Sequence, residues 1–128
     1  MANRNFKPGA VALEAGLVCL YGRFTTTGTT GAIASQDCRG FSVAETGLGE
    51  YTITLEDNYN DLRMLTTSVI DSVVSATEGQ SSAVISEDVA NGSLVIAFIS
   101  GSTGVVDDLG AGAVALIEIT LKNSTVKY

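Results

Sequence analysis

Histidine and tryptophan are both absent from the 128 residues. Without histidine the chain lacks the commonest general base, the usual member of a catalytic triad and the commonest metal ligand. Two isolated cysteines, Cys19 and Cys38, cannot complete a structural zinc site without further Cys or His. No serine stands in a Gly-x-Ser-x-Gly elbow. Charge is also scarce, at 16% of residues against about 25% in a typical soluble domain. The shortage falls on cations: no Lys or Arg occurs between Met64 and Leu121, whereas Asp71, Glu78, Glu87, Asp88, Asp107, Asp108 and Glu118 all lie there. With a net charge of −7, the chain has no cluster of bases to neutralise phosphates, so no nucleic-acid partner is expected. Long apolar runs are missing too. The longest, Leu94 to Ile99, is strand-sized, so neither a membrane span nor the apolar core of a signal peptide is expected. A reducing cytosol then follows as the site of synthesis, with Cys19 and Cys38 expected as free, buried thiols.

What is present alternates. Tyr51, Ile53 and Leu55 share one face of a strand and Thr52 and Thr54 the other, and Ala113, Ala115, Ile117, Ile119 and Leu121 oppose Glu118, Thr120 and Lys122. Further strands are predicted around 17–24, 41–43, 64–77 with a bulge near Ile70 to Val74, 83–89, and 94–99 as a central strand apolar on both faces. Asn91-Gly92 between two apolar runs predicts a hairpin. Asp57 to Asp61 reads as a turn or a single helical turn capped by Asp57, and Ser100 to Gly112 as a Gly-rich loop. The fold class expected is all-β: a single β-sandwich or flattened barrel of about seven mainly antiparallel strands, with Tyr51, Ile53, Leu55, Ile96, Phe98, Ile117 and Ile119 in the core. Residues 1–9, broken by Pro8-Gly9, read as an extended N-terminal arm ahead of a β domain over 10–128.

Candidate chemistry is thin. Gly110-Ala111-Gly112-Ala113-Val114-Ala115 matches a loose dinucleotide fingerprint, but a strand rather than a helix should follow it. Asp107-Asp108, and Asp57 with Asp61, offer fewer oxygens than calcium needs and are better read as turn formers. Carboxylate pairs drawn from Glu45, Glu50, Glu56 and Glu87 carry no distinctive spacing, and the sequon Asn91-Gly92-Ser93 is better read as the hairpin. No enzyme activity, cofactor or metal is expected.

Several segments together resemble the small cement or decoration proteins of tailed-bacteriophage heads. They are Asn3-Arg4-Asn5-Phe6-Lys7-Pro8, Gly16-Leu17-Val18-Cys19-Leu20-Tyr21-Gly22, and Gly49-Glu50-Tyr51-Thr52-Ile53-Thr54-Leu55-Glu56-Asp57-Asn58-Tyr59. Ser86-Glu87-Asp88-Val89-Ala90 and Ile119-Thr120-Leu121-Lys122-Asn123-Ser124 complete the set. The resemblance lies in their order and the total length. It implies a structural virion protein on the capsid exterior, made in the host bacterial cytoplasm, with the major capsid protein as partner. A tail, fibre or other adhesion β-module, carbohydrate-binding in one form, is the alternative. Low charge and the symmetry usual in such assemblies add self-association as a homotrimer or homodimer. The arm is expected to touch the capsid through Phe6 in an apolar pocket, with Arg4 and Lys7 beside acidic groups.

Overall fold

In a computed structural model the described residues are 16–27, 32–70, 79–101 and 104–122. Arg4, Phe6 and Lys7, with the rest of the 1–9 arm, lie outside them, as do Asp71 to Glu78.

The described strands form two four-stranded antiparallel sheets packed face to face. The first sheet has the order β2(Ile33–Cys38), β1(Leu17–Thr26), β8(Val114–Lys122), β5(Asp61–Ile70). The second has the order β3(Phe41–Gly47), β4(Glu50–Leu55), β7(Ser93–Ser100), β6(Gly79–Asp88). Eight strands thus replace the expected seven or so, and the addition is β2. Its sequence, Ile-Ala-Ser-Gln-Asp-Cys, has little apolar periodicity because it is an edge strand, held by the β1 ladder and not by a buried face of its own.

Alternation places the core where period two demands. Phe24 of β1 and Ala115, Ile117, Ile119 and Leu121 of β8 meet Phe41, Val43, Tyr51, Ile53, Leu55, Leu94, Ile96 and Phe98 of the second sheet, all buried. All seven expected core residues are among the buried set. An aromatic group ties the layers together. The Phe24 and Tyr51 rings lie 4.9 Å apart across the sheets, and Phe98 meets Tyr51 edge-on at 5.6 Å. β7 lies between β4 and β6 and buries Leu94, Ile96, Ala97 and Phe98, as a central strand apolar on both faces should.

The Asn91-Gly92 hairpin forms, with a single 3-10 turn over Val89–Asn91 and Gly92 left-handed at φ 77°. Glu56 to Asn60 contains no helical turn. Tyr59 is instead buried there, its N–H donating to the Val89 carbonyl at 3.0 Å, a tertiary contact that displaces the local alternative. Within β5 the register shifts between Leu62 and Met64, whereas the bulge expected from Ile70 to Val74 lies, beyond Ile70, outside the described residues.

Side chains stitch the two long sides of the sandwich. Gln36 on β2 donates from Nε2 to the Val43 carbonyl and accepts the Val43 N–H at Oε1, both at 3.0 Å. One amide thereby reproduces the donor–acceptor pair of a β-bridge across the β2–β3 side. Across β5–β6, the Thr67 and Ser82 hydroxyls lie 2.6 Å apart.

The end of the sandwich where the β3–β4 turn meets the 104–110 segment is closely packed. Gly49, at φ 67°, lies on the Asp107 backbone, where a β-carbon would come within 2.7 Å of the Asp107 carbonyl carbon and 3.0 Å of its nitrogen. Three hydrogen bonds fix the arrangement. Gly49 N–H donates to Asp108 Oδ1 at 2.6 Å, Phe98 N–H to the Gly49 carbonyl at 2.9 Å, and Asp107 N–H to the Phe98 carbonyl at 3.0 Å.

Candidate functional site

Among the described residues, the outer face of the first sheet carries exposed cationic, anionic, phenolic, hydroxyl and apolar groups together. Register sets them in rows. Asp37, Arg23, Leu116 and Ser68 lie side by side across β2, β1, β8 and β5. In the next row Tyr21, Glu118 and Thr66 are neighbours, and the Arg39 N–H donates to the Tyr21 carbonyl at 3.3 Å, which puts Arg39 at the end of that row. A third row brings Cys19, Thr120 and Met64 together, with Cys19 Sγ 3.7 Å from Thr120 Oγ1. The first two rows line a groove of about 570 Å³, within the range of small-ligand and anchor-residue pockets.

Local sequence explains the arrangement. Each strand contributes alternate residues whose intervening neighbours are turned to the core: Tyr21 and Arg23 around Gly22, Leu116 and Glu118 around Ile117, Thr66 and Ser68 around Thr67. Tyr21 stands out, 59% exposed. The Glu118 carboxylate beside it, through hydrogen bonding to the protonated phenol and through its negative charge, raises the phenol above its ordinary pKa, with a smaller contribution from Cys19. Asp37 and Arg39 make an exposed ion pair at 3.8 Å, which adds little stability in water and leaves both groups available to a partner. Guanidinium, carboxylate, phenol and hydroxyl groups thus converge on one concave surface, a set suited to gripping the polar and aromatic groups of another molecule.

The other candidate residues are dispersed. Asp107 Oδ1 accepts the Asp108 N–H at 2.9 Å and Asp108 accepts that of Gly49, so this pair builds the turn. Asp61 pairs with Arg63 at 3.0 Å, and Asp57 is exposed on the connection before β5. Among the described residues no three Cys, Asp or Glu side chains gather as a metal site would require. Gly110 to Ala115 runs into β8, as its sequence context implied, and is fastened to β1 by Thr26, whose Oγ1 donates to the Gly110 carbonyl at 2.6 Å. Glu45 is buried beside Tyr51, while Glu50 is half-buried and Glu56 and Glu87 are exposed on separate strands and turns.

Both cysteines are free thiols. Cys38 faces Gly22, three residues along β1 from Cys19, and the two side chains point to opposite faces of the sheet. Cys19 is exposed, which corrects the expectation that both are buried. It occupies an outward position, and free cysteine's preference for cores does not override strand alternation. Cys38 is half-buried, and burial raises its thiol pKa.

Comparison with known proteins finds no matching family model, no matching curated protein and no matching solved structure.

Proposed function

We propose that the chain is a capsid cement protein of a tailed bacteriophage, which binds the outside of the major capsid protein lattice and stabilises the head. The groove of the first sheet is the observation that carries the docking role. It gathers Tyr21, Arg23 and Arg39 on a stiff β-platform, and Tyr and Arg are the residue types that most often dominate binding energy between proteins. The phage assignment itself rests on the resemblance of the segments quoted above.

In this reading the sandwich works as a clamp. A body that binds assembled lattice but not separated subunits stabilises the lattice by mass action, by about 2.7 kcal/mol per site at a hundredfold excess over Kd. Mixing the purified protein with empty heads and with isolated tails tests the assignment. Binding to heads, with a higher temperature of head rupture, is the expected result. Binding to tails or glycans but not to heads would replace it with a tail or fibre module, for which Tyr21 offers a single stacking ring.

A further inference from the structure

The two flanks of the sandwich are finished differently. On the β2–β3 side the inward residues of β3, Phe41, Val43 and Glu45, are buried, and Gln36 occupies the Val43 N–H and carbonyl. The β5–β6 side is left more open. Leu65 and Val69 of β5 point inward yet are only half-buried. Val84 of β6, paired with the buried Ile96, is 39% exposed. On the outer side of β5, Met64 and Ile70 are 54% and 53% exposed. Accessible apolar surface is thus gathered along one flank, as at sites of association.

The two strands of this flank also differ as edges. β6 is broken by register shifts between Gly79 and Ser81 and between Val84 and Ser86, and it ends in Glu87-Asp88. Bulges and charge both discourage a further strand. β5 is regular from Met64 to Ile70, its register shift lying ahead of that stretch. The stretch holds no proline and no charge. Its backbone pairs with β8 on one side, and among the described residues no backbone hydrogen bond outside the strand ladders involves it. Alternate N–H and C=O groups therefore point away from β8, in a row that an extended backbone satisfies.

The side chains say which backbone fits. Met64-Leu65-Thr66-Thr67-Ser68-Val69-Ile70 is a near-palindrome in chemical character about Thr67. Two copies of β5, antiparallel about a two-fold axis at Thr67, oppose Thr66 to Ser68, Leu65 to Val69 and Met64 to Ile70. Opposed residues point to the same side of a sheet. Hydroxyl then meets hydroxyl, the half-buried Leu65 and Val69 close each other's gap, and the exposed Met64 and Ile70 cover one another. An unrelated strand offers the same backbone but matches this order only by coincidence. We infer that β5 is an isologous dimer edge, joining the first sheets of two copies into one sheet that runs from β2 to β2. The two grooves then lie on the same side of it.

Sedimentation equilibrium of the full chain, from micromolar to millimolar concentration, tests the pairing and its register without any capsid. The native chain should dimerise. Met64→Lys with Ile70→Lys in one chain opposes lysine to lysine at both ends of the pair and should raise the dissociation constant on the order of tenfold or more. Met64→Lys with Ile70→Glu opposes lysine to glutamate and should recover most of that loss. Leu48→Lys, in the exposed β3–β4 turn, should leave the dimer intact. Hydrogen exchange on the native chain gives a second readout should a variant fail to fold: the amides of 64–70 that point away from β8 should slow as the dimer fills. A chain that stays monomeric at millimolar concentration, a trimer, or a lysine–glutamate variant no tighter than the double-lysine one would overturn the inference. So would outward amides already protected in the monomer, as they would be beneath another segment of the same chain.

Discussion

Gly49→Ala isolates the cost of one close approach. At φ 67° any residue with a β-carbon incurs the left-handed penalty of about 1–2 kcal/mol. The new methyl would also press on the Asp107 backbone, 2.7 Å from its carbonyl carbon. Asp107 cannot retreat without loosening its bond to Phe98 or the Asp108 bond to residue 49, and overpacking of this kind costs a further ~1–3 kcal/mol. Gly112→Ala is the matched control: its φ is 78°, and a β-carbon there meets nothing within 4 Å. Both substitutions gain the same few tenths to 1 kcal/mol or so from a stiffer unfolded chain, which cancels in the comparison. Gly49→Ala should therefore be less stable than Gly112→Ala by about 1–3 kcal/mol. Urea unfolding followed by far-UV circular dichroism is the assay, since the chain has no tryptophan to report. With m of about 1–3 kcal/mol/M, the two midpoints should differ by roughly 1 M at unchanged m. Midpoints that coincide would show that the 104–110 segment yields freely to the methyl, and the packing argument would be refuted.

Gln36→Ala opens the β2–β3 side and removes the side-chain partners of both the Val43 N–H and the Val43 carbonyl. We expect a loss of about 0.5–1.5 kcal/mol and faster hydrogen exchange at the Val43 amide; unchanged exchange there would contradict the bridging role. Burial, with Glu45 and Asp108 nearby, holds the Tyr51 phenol far above its usual range, so the folded state keeps a proton that the unfolded state sheds above about pH 10. Stability is then full below that pH and falls as the pH rises beyond it. Tyr51→Phe should flatten the decline in alkaline denaturation, and an equally steep decline in the variant would count against the assignment. Native-state labelling with a thiol reagent should modify Cys19 faster than Cys38, and melting should be the same with and without reductant; a reductant-sensitive transition would point to a disulfide that the two opposed side chains do not allow.

The legible part of the fold was wherever burial imposes a period. Tyr51-Ile53-Leu55 and Ile117-Ile119-Leu121 announce their inward faces because each contributes alternate large apolar side chains to one core. β2 was illegible for the converse reason: Gln36 is spent on a single cross-edge contact that no periodicity encodes. The place of Tyr59 was not legible locally, because its burial against the Val89 region is a long-range event invisible in a five-residue window. The groove was hidden more deeply. Tyr21 and Arg23, Asp37 and Arg39, Thr66 and Ser68, and Leu116 and Glu118 each show as an outward pair, but they become one surface only once strand order brings β8, near the end of the chain, between β1 and β5. The residues put forward for capsid contact, Arg4, Phe6 and Lys7, lie outside the described segments.

The Gln36 bridge has a consequence for crowding. An open strand edge is a template, and proteins packed at high local density risk recruiting one another through it into fibres. Here the Val43 N–H and carbonyl are already occupied by an amide from the same chain. An intruding strand would have to evict a tethered competitor, whose effective concentration is in the millimolar range or above, before gaining its first two hydrogen bonds at that point. At high local density the β3 edge is thereby guarded at its middle, and a strand pairing there would have to begin elsewhere along it.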